Sequence, residues 1–561
     1  MKNQLYFGDN LPVLREYIAD ESVDLIYLDP PFNSARNYNV LFKEKSGKES
    51  ASQIEAFEDT WEWNQQAEAA YSELTTHSTA KVADMIEAMR SFIGPTDMMA
   101  YLVMMTQRLL ELHRVLKPTG SIYLHCDTTA SHYLKILMDT IFGIRNFKNE
   151  VIWKRTSAHN SAKRYGPVHD VLLFYSKSSE YVWNPQRVAF DEEYLVKNFN
   201  RISEDGRRYT TSDLTGSGTR KGESGKPWRG FDPTDKGRHW AVTAWKVQSA
   251  YPDLDLSKTT TQERLDLLDK AGLIHWSEKT GSPRLIRYAD EVEGMTAQDV
   301  ITDIPAIAAT ATERLGYPTQ KPQVLLERII ESSSNEGDVV LDPFCGCGTA
   351  VAAAQKLNRR WIGIDITHLA VSLIKKRIID HFGPDIVEDI EIIGEPTDVG
   401  SARALFDSDP FQFEWWAISL VNAMPANDKK KGADRGIDGI IRFHDDRSGK
   451  AKKVLVQVKG GKAQSSHVRD LKGTMDREKA EMGLFITLQE PTREMTKEAV
   501  TAGFYKSPLG GDYPKVQILT VKELLDGAEP HLPSRSARTT FQKAKRIKED
   551  QVQIPMALDI E

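Results

Sequence analysis

Two short apolar runs, each closed by an Asp-Pro pair, constrain this chain more than any other feature of its sequence. The first is Val23-Asp-Leu-Ile-Tyr-Leu28, followed at once by Asp29-Pro30-Pro31-Phe32. The second is Asp338-Val-Val-Leu341, followed by Asp342-Pro-Phe-Cys-Gly-Cys-Gly-Thr349. Short, nearly continuous apolar runs suit strands buried on both faces, as in parallel sheets covered by helices. In such sheets ligands bind outside the carboxyl ends of the strands. Both turns therefore stand where a ligand would.

The surrounding chain fits an α/β fold. Leu11–Ala19, Met98–Leu116 and Tyr133–Phe142 read as helices, and Ser121–His125 as a further strand. Lys117-Pro-Thr-Gly120 stops the long helix. The alternation fades between about 178 and 300, where glycines and basic residues gather. It returns with a helix over Ala350–Leu357, a strand over Trp361–Ile364 and a helix over Ala370–Phe382. Residues 394–409 read as a linker, 410–528 as a smaller α/β unit opening on a helix over Phe411–Ala423, and 529–561 as a polar tail.

Composition narrows the class. With 40% hydrophobic and 27% charged residues, the 561-residue chain is globular rather than disordered. Its three cysteines, Cys126, Cys345 and Cys347, are too few for a disulfide framework or a zinc knuckle and fit a reducing cytoplasm. No apolar stretch follows Met-Lys-Asn-Gln-Leu, and no run nears the ~18 apolar residues of a membrane span. Neither a secretory leader nor a membrane partner is expected. Net charge is −7, yet 16 Lys and Arg against 11 Asp and Glu leave Val151–Trp240 at +5. A basic middle in an acidic chain points to one surface that meets nucleic acid.

The two turns suggest a chemistry. Tandem prolines fix φ and remove two donors, so Asp29-Pro-Pro-Phe32 is rigid and non-helical. Asp29 and the Pro30 carbonyl can accept hydrogen bonds from an exocyclic amino group, localising a lone pair otherwise delocalised into a base. Phe32 can stack on a base swung out of the duplex. Gly346 and Gly348 let the backbone approach a ligand closely. Asp365 ends the next strand about 20 residues on, where an acidic side chain binds ribose hydroxyls. The second turn lacks the Lys-Ser/Thr of a phosphate loop, which favours an adenosine cofactor without phosphates.

These segments resemble those of the DNA amino-methyltransferases whose catalytic segment precedes the cofactor segment. Gly8-Asp9 is similar to that family's adenine-contacting turn, and Tyr317-Pro-Thr-Gln-Lys-Pro322 to its cofactor-side loop. Lys117-Pro-Thr-Gly-Ser-Ile-Tyr-Leu-His-Cys-Asp127 resembles a later strand of its sheet. The resemblance covers roughly Met1 to Phe382. It implies a Rossmann-like, seven-stranded α/β sheet made of a catalytic half, 1–177, and a cofactor half, 301–393, with 178–300 inserted for target recognition. It implies S-adenosylmethionine as cofactor and double-stranded DNA as substrate. By the same likeness Asp29, Pro30, Pro31 and Phe32 are catalytic, while Asp9, Lys321, Asp342, Phe344, Gly346, Gly348, Thr349 and Asp365 hold the cofactor. Asp in the first catalytic position is typical of adenine members, whereas Ser is commoner in cytosine ones, so adenine N6 is the expected target. Methylation of cytosine N4, RNA or protein, and a catalytically silent DNA-binding protein, are the alternatives. Within the insert, Lys226-Pro-Trp228-Arg229 and Lys236-Gly-Arg238-His-Trp240 interleave basic and indole side chains as candidate DNA contacts. The competing reading packs those indoles beneath a solvated loop.

The C-terminal unit carries a second pattern. Asp438 closes Gly432-Ala-Asp-Arg-Gly-Ile-Asp438, and Gln457 and Lys459 in Val454-Leu-Val-Gln-Val-Lys-Gly460 share one strand face. This resembles the Mrr-like restriction endonuclease domain of the PD-(D/E)xK group. The resemblance implies Asp438 as a Mg²⁺ ligand, Gln457 in the usual acidic position, Lys459 assisting the nucleophile and Glu414 as an outlying carboxylate. Gln457 is a neutral amide, usual in that branch but a weaker ligand, so the unit is either a nuclease or a nuclease fold kept for DNA binding. The pair of units implies a restriction–modification system and leaves room for a restriction or helicase subunit and for a homodimer.

Overall fold

The computed structural model describes residues 2–31, 63–156, 163, 165–292, 294–308, 311, 313–315, 317, 319–426, 437–445 and 451–533. It divides into two compact units, Met1–Asn184 with Asp299–Glu561, and Pro185–Gln298.

A nine-stranded sheet organises the first unit. Its strands in chain order are β1 (Asn3–Phe7), β2 (Val23–Leu28), β3 (Leu116–Cys126), β4 (Phe147–Lys154), β5 (His169–Ser176), β6 (Val300–Ile301), β7 (Val339–Asp342), β8 (Arg360–Asp365) and β9 (Ile390–Ile393). Across the sheet they run β6-β4-β5-β3-β2-β7-β8-β1-β9. All neighbours are parallel except the two pairs made by β5. The expected seven strands thus become nine. β6 and β9 each lie against an otherwise open edge; β6 is only two residues long and Glu391 interrupts β9, so neither stands out as an apolar run.

Successive residues turn to opposite buried faces. Tyr6, Ile26, Leu28, Ile122 and Leu124 pack with helices Asn10–Tyr17 and Asp97–Val115. Leu5, Leu25, Tyr27 and Tyr123 pack with helices Gln323–Ser333, Thr349–Lys356 and His368–Phe382. Burial on both faces is why these strands read as almost unbroken apolar runs. Because β2, β7, β8 and β1 are parallel neighbours, their carboxyl ends deliver Asp29, Asp342, Asp365 and Asp9 to one edge of the sheet.

The stretch 394–409 is not an open linker. Residues Val399–Ser408 form a helix capped by Asp398, whose carboxylate accepts from Ser401 N at 2.8 Å. Ala402 is buried, and the Phe406 ring meets Phe413 of the next helix, Pro410–Ser419, edge-on with centroids 5.4 Å apart. The helix is held by that apolar face, which the glycine and proline at its approach conceal. Beyond it a five-stranded sheet runs in the order Met424–Pro425, Gly439–Phe443, Lys452–Lys459, Met482–Thr487, Val516–Thr520.

The second unit carries a four-stranded antiparallel sheet, ordered Ile274–Trp276, Pro283–Tyr288, Arg208–Asp213, Arg201–Ile202. Helices Ala244–Ala250 and Thr261–Lys270 pack with it around Leu214, Trp228, Trp240, Val247, Leu265 and Leu268. No helix among the described residues is long and apolar enough to cross a membrane.

Candidate active site

The turn after β7 is shaped by its glycines. Gly346 has φ +51° and Gly348 φ +72°, a region that L side chains avoid. A Cβ on Gly346 would lie 3.1 Å from the Tyr317 ring, and one on Gly348 2.7 Å from Ile374 Cγ1. Gly348 caps helix Thr349–Lys356, so Thr349 opens a helix at the mouth of the turn. Phe344 is half-buried against the core. Asp365, at the end of β8, accepts from Gly346 N at 2.9 Å through Oδ2, and from Thr367 N and Oγ1 at 2.9 Å through Oδ1. It therefore braces the turn from the neighbouring strand. Burial lifts its carboxyl to about 6. Asp342 is 4% exposed and accepts from Phe344 N at 3.0 Å. Burial, aided by the charges of Asp29 and Asp365, pushes it to about 8. Asp9 caps helix Asn10–Tyr17 and pairs with Arg108 at 2.7 Å, while Asn10 donates to the Pro343 carbonyl at 2.8 Å.

Two strand spacings set the distance to the other motif. β2 lies beside β7, and β7 beside β8, so Asp29 and Asp365 end strands about 10 Å apart. Pro30 is buried, Pro31 half-buried, and Phe32 lies outside the described residues. Asp29 Oδ2 accepts from the Lys321 ammonium. Its Oδ1 is buried and makes no hydrogen bond among the described residues. Such an oxygen costs free energy unless something donates to it.

Beside this carboxylate lies a buried polar chain that the motifs did not announce. Tyr27 OH meets His125 Nδ1 at 2.8 Å, His125 Nε2 faces Asp170 Oδ2 at 3.4 Å, and Arg155 Nε lies 3.1 Å from Asp170 Oδ1. Trp153 stands edge-on to His125, with centroids 5.8 Å apart. Burial lowers the His125 pKa, and the Lys321 charge lowers it further. Burial presses Asp170 upward, but the His125 hydrogen bond and the Arg155 charge hold it below the ordinary carboxylate range. His125 belonged to a motif recognised only as a strand. Its partners are 98 and 45 residues away; the β2–β3 pairing brings Tyr27 to it and the β3–β5 pairing brings Asp170.

The candidate DNA contacts of Pro185–Gln298 fare differently. Trp228 and Trp240 are 5% and 3% exposed, with their indole N–H groups given to Asp266 Oδ1 and the Lys226 carbonyl. Trp228 stacks on Trp276 at 5.8 Å. Both rings are core, so neither is available to a base, and the interleaving of indoles with basic residues is a packing pattern. Arg229 pairs with Asp269. Arg238 donates to Thr215 Oγ1 and to the Thr215 carbonyl, each at 2.7 Å. Both guanidiniums are engaged within the unit.

In the C-terminal sheet, Asp438 is buried and its Oδ2 accepts from Val458 N at 2.7 Å. It thus abuts the strand that carries Gln457 and Lys459. Gln457 is 5% exposed, and its Oε1 accepts no hydrogen bond among the described residues. Glu414 and Lys459 are half-buried. Gly432 to Gly436 of this motif lie outside the described residues. Among the described residues no three His, Cys, Asp or Glu side chains gather as a metal site. Among the described residues, one carboxylate engaged by a backbone N–H beside a neutral amide does not make a Mg²⁺ centre.

Comparison with known proteins places the chain in a family. The DNA methylase family model for N6 and N4 enzymes matches residues 23–376. A second model, described as NACHT-associated inactive restriction endonuclease 1, matches residues 416–526. The chain is 29% identical over 379 residues to the type II methyltransferase M.EcaI of Enterobacter cloacae, covering 67% of this chain and 69% of that one. It is 26% identical over 368 residues to the Mod subunit of the type III restriction-modification enzyme StyLTI of Salmonella typhimurium, covering 64% of this chain and 50% of that one. It is 23% identical over 381 residues to the DNA adenine methyltransferase YhdJ of Escherichia coli, covering 67% and 84%. Among solved structures, a DNA modification methylase of Thermus thermophilus complexed with S-adenosyl-L-methionine matches with TM-score 0.31 and 14% identity, over 71% of this chain and all of that one. The family model alone spans well over half of the sequence and contains both strand-end motifs, so this chain belongs to the N6/N4 DNA methylase family.

Proposed function

We propose that the chain transfers methyl from S-adenosylmethionine to the exocyclic amino nitrogen of adenine in duplex DNA, with the target base swung out of the helix. The observation that carries this reading is the buried Asp29 Oδ1, without a donor among the described residues, at the end of the strand next to the glycine turn. The residues present fit the cofactor. Gly346 and Gly348 leave space that any Cβ would fill, and the buried acids Asp342 and Asp365 suit a cationic, hydroxyl-bearing ligand. When bound, S-adenosylmethionine supplies a methyl group already activated by its sulfonium. The chain's own task is then positioning. Asp29 Oδ1 and the Pro30 carbonyl accept the amino hydrogens, which turns the nitrogen lone pair out of conjugation and toward the glycine turn.

Asp29 in the first catalytic position supports adenine rather than cytosine, and so does the name of the Escherichia coli relative. We assign target recognition to Pro185–Gln298, whose exposed Arg220 and Lys221 suit phosphate. The Mod-subunit relative supports work inside a restriction–modification system; a cytoplasmic location and a restriction subunit as partner belong to the same proposal. The test is direct. The protein is incubated with tritiated cofactor and duplex DNA, and the product is digested to nucleosides. Label in N6-methyl-2′-deoxyadenosine is expected; label in N4-methyl-2′-deoxycytidine, or in no nucleoside, overturns the proposal.

A further inference from the structure

The resemblance assigns Lys321 to the cofactor, yet its ammonium sits on the catalytic carboxylate. Lys321 is 9% exposed and pairs with Asp29 Oδ2, leaving Oδ1 as the oxygen without a donor among the described residues. A carboxylate on a turn can rotate about its last bond; a cation fixed on one oxygen ends that freedom and sets where the other points.

The cation is itself well fixed. Gln320, one residue before it, accepts from Leu315 N at 2.8 Å and donates to the Glu313 carbonyl at 2.7 Å. Pro322, one residue after it, is the N-cap of helix Gln323–Ser333. Gln323 Oε1 accepts from Arg377 Nη2 at 3.1 Å. Through Nη1 the same buried guanidinium donates to the Cys347 carbonyl at 3.2 Å and to Thr349 Oγ1 at 3.1 Å. Arg377 thus ties the glycine turn and the Lys321 loop to one point.

We propose that Lys321 is a positioning residue for methyl transfer, acting through Asp29: it locks the carboxylate with Oδ1 aimed at the incoming amino group, and Arg377 keeps that lock in register with the glycine turn. The inference rests on the methyltransferase reading above. A reading that fails shows itself as a wild-type chain without transfer, before any variant is compared.

The test uses the full chain and saturating duplex DNA. For Lys321→Met, Lys321→Gln and Lys321→Arg, kcat is measured by tritium transfer and cofactor Kd by calorimetry, with a melting curve to confirm folding. Loss of the lock should lower kcat by about 100-fold in the Met and Gln variants, the cost of a small misplacement of a reacting group. Their cofactor Kd should stay within about threefold of wild type, and Arg, which keeps the cation, should recover about tenfold or more of the lost kcat. A Kd weakened about tenfold, with kcat at saturating cofactor unchanged, overturns the proposal. An Arg variant as slow as Met overturns it too, because the charge on Asp29 would then not be what matters.

Discussion

In the proposed reaction Asp29 is the residue that grips the base, and its two oxygens have different surroundings: one meets Lys321, while the other accepts no hydrogen bond among the described residues. Asp29→Ala should abolish transfer, by about 1,000-fold or more, while cofactor Kd shifts less than about threefold, because the alanine touches only the acceptor. Calorimetry beside a transfer assay checks this, and joint loss of both would mean the roles are misassigned. Asp342 offers a pH test. Its folded value of about 8 lies above the ordinary carboxylate value, so between about pH 4 and 8 the folded chain holds a proton that the unfolded chain releases. Its contribution to stability is complete below about pH 4, declines as pH rises and is gone above about 8. Asp342→Asn cannot titrate, so its melting temperature should fall less than that of wild type between about pH 5 and 8. A steeper fall in the variant would contradict the buried, neutral carboxyl. Asp29, Asp365 and both glycines were legible because each follows a strand that the apolar pattern reveals. Lys321 was legible as a site residue, but its partner lies 292 residues away. His125, Tyr27 and Asp170 were not legible as a cluster, since only pairing between strands brings them together.

Elements were easiest to read where burial wrote a period into the sequence. The helix expected over Met98–Leu116 is Asp97–Val115, and the strand expected over Trp361–Ile364 is Arg360–Asp365. Reading failed where side-chain chemistry and packing disagreed. Asp398 after Gly394 and Pro396 looks like loop, yet it caps a helix whose apolar face packs on Phe413. Trp228 and Trp240 look like a nucleic-acid pattern, yet three indoles fill one core. Trp240→Ala should therefore cost the Pro185–Gln298 unit about 3–5 kcal/mol. DNA methylation should be lost with cofactor binding retained, because the glycine turn belongs to the other unit. Calorimetric melting and cofactor titration would show it. Conversely, Arg220→Ala with Lys221→Ala should leave folding alone, weaken DNA binding across all sequences and flatten its salt dependence by about two counterions. A binding titration at several salt concentrations decides; an unchanged slope would place the DNA face elsewhere.

At the scale of the molecule, a methylase sheet and a nuclease-like sheet share one chain, and their described residues offer different chemistry. The C-terminal unit joins Asp438 to a backbone N–H and offers Gln457 where a second carboxylate would stand. Full-length protein with Mg²⁺ should leave methylated and unmethylated duplexes equally uncut; nicks or breaks on a gel would contradict this. The central claim is narrower: adjacent parallel strand ends hold a cofactor on one side and an extruded base on the other. The measurement that tests it most directly is a crystal structure of the chain with a non-reactive cofactor analogue and duplex DNA carrying its target. The account predicts the adenine amino nitrogen at about 3 Å from Asp29 Oδ1, with the analogue over Gly346 and Gly348. An analogue seated away from that turn, or a target base still stacked in the duplex, would contradict it.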